Sequence, residues 1–150
     1  MKGTVLERPR VAARVELAKK RGMLGLIRVA SLVERQSELE LSDDQLKKLL
    51  AIRSDMIRTK SKISADIRIA RLELVHSTAN NIGNINPDHA RSALKNIYNL
   101  RLERKAATVD AFRKATDVLT DEQKSTLRER VRERLSEFES EAEEDFTDID

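Results

Sequence analysis

Few residues in this chain could do chemistry. It holds two histidines, His76 and His89, and no cysteine. Without cysteine there is no disulfide, no Cys-based zinc site and no thiol nucleophile. The histidines stand on either side of a predicted turn, close enough in sequence to approach each other, but no His-rich tract surrounds them. Both read as structural or solvated side chains, with a metal site as the lesser alternative. Met23 and Met56 suit core positions better than soft-metal ligation. Carboxylates are plentiful, yet no Gly-rich phosphate loop, nucleophile elbow or H-E-x-x-H accompanies them. Exposed helices offer no enclosed pocket to shift their pKa values. The expectation is a binding protein that is not an enzyme and carries no cofactor.

Charge is the stronger signal. The 29 Lys and Arg against 26 Asp and Glu give a net +3. Residues 136–150 hold eight of the acids and no base, so the rest of the chain has 29 bases against 18 acids. A basic body with an acidic tail suits an acidic partner, self-shielding, or simply solvated helix faces. Along the two central helices bases and acids interleave, and no helix-turn-helix or base-stacking aromatic set appears, so only weak, nonspecific nucleic-acid binding is expected. No long uncharged apolar run suits a membrane span, so no membrane insertion is expected, and the N-terminus lacks the pattern of a secretory signal.

The elements that must position these charges are helical. Residues 42–80 run for 39 residues without Gly or Pro. Leu49, Met56, Ile63 and Ala70 recur every seven positions, with Leu46, Ile67 and Leu74 beside them, the pattern of a helix packed lengthwise on another. At 1.5 Å per residue it spans roughly 57 Å. Thr59 to Ser64 has low helix propensity and is a place for a bend. Asn80 to Asn86 reads as a turn and Pro87 as a helix restart, with Asn86 as N-cap. A third helix then runs to about Val118, with Ala90, Leu94, Ile97, Tyr98, Val109, Phe112 and Ala115 expected to face back onto the second, and Arg101, Arg104 and Lys105 interrupting the stripe. Residues 24–37 predict a short first helix with Leu26, Ile27, Ala30 and Val33 on one side. The fourth carries Leu127, Val131, Leu135 and Phe138. The expected fold is all-α: four helices around a long antiparallel hairpin (23–138), preceded by a basic flexible arm (1–22) and followed by a disordered acidic tail (139–150).

Two helix starts share one signal. Leu41-Ser42-Asp43-Asp44-Gln45 returns 78 residues later as Leu119-Thr120-Asp121-Glu122-Gln123. In each, the hydroxyl residue caps the helix, acids follow in the first turn, and the glutamine can reach back to the cap amide. With these boxes, the long central pair and the Asn/Gly/Pro turn, residues 24–138 resemble the Spy/CpxP family of periplasmic stress proteins, whose metal-sensing relatives include CnrX and ZraP. The resemblance implies a hooked hairpin that dimerises into a thin curved cradle. It also implies a periplasmic location and ATP-independent binding of unfolded proteins on the concave face, or sensing of envelope stress. The metal-sensing alternative, for Zn, Ni or Cu, would rest on His76 and His89, but the clustered H-x-x-x-H ligands of those relatives are missing here.

The surface residues fit a binding protein. Ile52, Ile69 and Leu72 point away from the main seam of the second helix, and Leu100 and Leu102 do so on the third. Exposed apolar patches mark interaction surfaces, and a homodimer is expected. Set among Arg58, Lys62, Arg68, Arg71, Arg101, Arg104 and Lys105, they predict a surface both adhesive and positive. The expected client-binding residues are Arg58, Lys62, Ile69, Leu72, Arg101, Arg104 and Lys105.

Overall fold

The computed structural model describes residues 27–147, with side chains to residue 137. Among these the chain is all-α. Four helices follow in order: α1 (Val29–Glu34), α2 (Asp43–Asn80), α3 (Pro87–Asp117) and α4 (Asp121–Thr147). The basic arm expected at 1–22 lies outside the described residues.

Local signals set the helix ends. Ser42 caps α2 in a full capping box: its hydroxyl accepts from the Gln45 amide at 3.2 Å, and the Ser42 amide donates to Gln45 Oε1 at 3.0 Å. Thr120 and Gln123 repeat this at α4, at 3.2 and 2.9 Å. Asn86 caps α3, accepting from the amides of Asp88 and His89 behind Pro87. Helix α2 runs unbroken through the weak Thr59 to Ser64 patch.

Helices α2 and α3 lie alongside each other in opposite directions. Near one end Gln45 donates to the Val118 carbonyl, midway Arg104 donates to Ser64, and near the other end Leu74 and Ala90 line one pocket. The core sits at the end where the first residues of α2 meet the last of α3. There Val29 and Leu32 of α1, Leu39, Leu49, Ala111, Ala115, Leu119 and Leu127 are buried together. Ala111 and Ala115 leave room for α1 to lie against the pair. Further along only Ile67 and Ile97 are buried. Among the described residues the far part of the pair is two helices thick and has little core of its own.

Several expectations are corrected. The first helix begins at Val29, and Val29 and Leu32 are its buried residues; Ile27, Ala30 and Val33 are only half-buried, and Leu26 lies outside the described residues. After Glu34 the chain closes a Schellman turn, with the Leu41 amide on the Gln36 carbonyl and Glu40 at φ 50°. Ile52 packs against the core instead of facing away. On α3, Ile97 and Ala115 are buried as expected, but Leu94, Tyr98 and Val109 are largely exposed. Ala111, not expected there, joins Ala115 in the seam, because a closely packed helix pair selects small residues there. Helix α4 continues to Thr147, through most of the stretch read as a disordered tail.

Candidate functional site

The two capping glutamines meet. Gln45 Nε2 donates to Gln123 Oε1 at 2.8 Å, and Gln123 Nε2 returns a bond to Gln45 Oε1 at 3.2 Å. Each also reaches a carbonyl of another segment: Gln45 that of Val118 at 3.0 Å, and Gln123 that of Leu39 at 2.9 Å. The oxygens are thus engaged by their own cap amides and the nitrogens by the partner segment. The repeated motif becomes a two-sided amide latch holding the starts of α2 and α4 together. Beside it, Leu119 is buried in the core and Leu41 packs against it. Arg130 of α4 ties back to Glu38, and Glu133 and Glu38 hold its pKa above the ordinary value.

Beyond the latch, the helical pair sorts its charges. On α2 the acids Asp55, Asp66 and Glu73 are eleven and seven apart, and on α3 Glu103, Asp110 and Asp117 recur every seven. Each series lines one strip of its helix. Asp55 and Asp110 share a groove with Met56, Ala107 and Lys114, which puts both strips on one side of the pair.

Residues 27–30 lie over the other side. Arg28 and Ala30 line a groove with Arg53, Ile57, Lys60, Ser61, Ser64 and Arg68, while Ile27 lines a second groove with Phe112 of α3. On this side Arg53 and Lys60 repeat at seven, followed by Arg68 and Arg71. Opposite them, Leu94 and Arg101, and Tyr98, Lys105 and Phe112, repeat at seven on α3. No acid of α2 or α3 between residues 50 and 105 falls on this face. Apolar side chains stand exposed among the bases: Ile57 is 49% exposed, Val75 60%, Leu94 45% and Tyr98 63%, with the Arg101 guanidinium 5.5 Å from the Tyr98 ring centre.

The residues expected to bind clients are therefore divided. Arg101 and Lys105 belong to the basic face, Arg104 lies half-buried in the seam on the Ser64 hydroxyl, and Leu72 stands at the edge of the face. Arg58, Lys62 and Ile69 follow one another at four and seven along the outward strip of α2, and Arg58 pairs with Asp55 of the acidic side at 3.5 Å. Sequence reading missed Arg53, Ile57, Lys60, Val75, Leu94 and Tyr98 as members of the face. The signal was available in the seven-residue spacing of the acids, which marks the opposite side. Interleaving along the chain is thus segregation in space.

His76 and His89 are both exposed; His89 lines a polar pocket at the turn with Ser77, Asn81 and Asn86, and His76 does not. Among the described residues no three His, Asp or Glu side chains are grouped to hold a metal ion. No described helix is long and apolar enough to cross a membrane. Comparison with known proteins adds no neighbour: no family model, no curated protein and no solved structure matches the chain.

Proposed function

We propose that this protein is an ATP-independent holdase-type chaperone or envelope-stress regulator, which captures unfolded or partly folded polypeptide on the face bearing Arg53, Ile57, Arg68, Leu94, Tyr98 and Arg101. The observation that carries the reading is the sorting itself. Bases and exposed apolar side chains share one long face, while Asp55, Asp66 and Glu73 of α2 and Glu103, Asp110 and Asp117 of α3 line the other side. Unfolded chains offer apolar segments, and acidic ones are drawn in over longer range. Many weak contacts spread along two helices hold such a chain without a pocket or a catalytic group. Duplex nucleic acid fits the face less well, since the apolar side chains between the bases have nothing to meet on a phosphate backbone.

The Spy/CpxP resemblance rests on the paired capping boxes. In this reading α2 and α3 form a hooked hairpin, two copies assemble into a curved cradle, and the protein works in the periplasm. The α2–α3 pair is well suited to such assembly because it is thin and leaves Ile69, Leu72 and Leu102 at least half exposed.

The test is suppression of aggregation of a chemically unfolded client by the purified protein, without nucleotide and with or without a chelator. Suppression near stoichiometric dimer, unchanged by the chelator, is the expected result. No suppression, together with a melting temperature that rises on adding nickel, zinc or copper, would contradict it and return His76 and His89 to consideration.

A further inference from the structure

Midway along the α2–α3 pair the seam stops being apolar. Lys60 occupies the position between Met56 and Ile63, and Arg104 stands opposite it between Leu100 and Ala111. Arg104 donates to the Ser64 hydroxyl at 3.2 Å. Arg28, at the N-cap of α1, closes the third side of Lys60. All three cations are half-buried, and none forms an ion pair with an acid among the described residues. Burial first, then Arg28, then Arg104, pushes the Lys60 pKa down.

A partly buried charge without a counterion is costly, and three like charges together are more so. The groove beside them is ≈ 550 Å³ and has the hydroxyls of Ser61 and Ser64 on its wall. Arg28, Lys60, Ser61 and Ser64 line this one groove, with Arg104 behind it on the Ser64 hydroxyl. Guanidinium, ammonium and hydroxyl groups around one space make the donor set of an oxyanion site, with Arg supplying the planar fork and Lys the point charge. We infer that the groove lined by Arg28, Lys60, Ser61 and Ser64 binds a small, multiply charged oxyanion of the phosphate class, which bridges the start of α1 and the middle of α2, with Arg104 of α3 adding its charge from behind Ser64. The inference goes beyond the chaperone reading and stands whether or not the face holds unfolded protein.

The experiment is calorimetric titration of the full chain with inorganic pyrophosphate, with sodium chloride at matched ionic strength as the blank. The expected result is saturable binding at one site per chain, with a rise in melting temperature that the blank does not reproduce. Lys60→Gln and Arg28→Gln should each weaken binding about tenfold or more, while Lys47→Gln, an exposed control, leaves it unchanged. Lys60→Gln also relieves repulsion, so without anion it should melt no lower than the parent. Glycerol 3-phosphate binding at the same residues would assign the site to phosphate esters, and pyrophosphate alone to inorganic anions. Absence of saturable binding, or equal binding by Lys60→Gln and the parent, would overturn the inference.

Discussion

At the scale of single residues the capping glutamines decide how the molecule closes. Each engages its own cap amide, the other glutamine and a distant carbonyl, so neither can be removed without stranding a partner. A hydrogen bond is worth about 1 kcal/mol net, and more when its loss leaves a partly buried group unpaired. Gln45→Ala and Gln123→Ala should therefore each cost about 1–3 kcal/mol in chemical denaturation. The double variant should cost less than their sum by about 1 kcal/mol, since the second loss removes a bond already broken. Strict additivity would show that the two boxes act only as separate caps. The boxes themselves were legible because capping is local, settled within four residues. Their meeting was not, because nothing in a sequence fixes the distance between positions 78 apart.

At the scale of elements, long periodic segments read correctly and short or crowded ones did not. The extent of α2 and the restart at Pro87 follow from cap chemistry and from the lack of Gly and Pro. The first helix was misread because its six residues are too few to establish a period, and tertiary burial of Val29 and Leu32 chose the face. On α3 the seven-residue pattern identified Ile97 and Ala115 but also took in Leu94, Tyr98 and Val109, which are exposed, and left out Ala111, a small residue that only close packing against α2 and α1 selects. The turn after α1 gives a direct test. Glu40 occupies the left-handed position where a Schellman turn normally takes glycine, and a side chain there costs about 1 kcal/mol. Its carbonyl, not its carboxylate, faces the latch. Glu40→Gly should raise stability to denaturant by up to about 1 kcal/mol. A loss of stability would mean that the carboxylate has a role the turn does not explain.

At the scale of the whole molecule, two amphipathic helices do more than bury a seam. Asp55, Asp66 and Glu73 of α2 and Glu103, Asp110 and Asp117 of α3 recur at whole-turn spacings and gather on one side. The other side is left to bases and apolar residues, with α1 laid across one end of it. This sorting needs the relative rotation of the two helices, which the seam residues fix, and Lys60 and Arg104 within the seam obscured it in the sequence. The distinction between the basic face and the outward strip of α2 is the central claim, and paired charge reversals address it directly. The measurement is suppression of client aggregation by Arg68→Glu/Arg101→Glu and by Arg58→Glu/Lys62→Glu, each with helicity checked by circular dichroism. Both pairs change net charge equally. The basic-face pair should need about tenfold more protein for the same suppression, while the outward pair stays close to the parent. Equal loss in both, or a larger loss in the outward pair, would contradict the assignment of client binding to the face beneath α1.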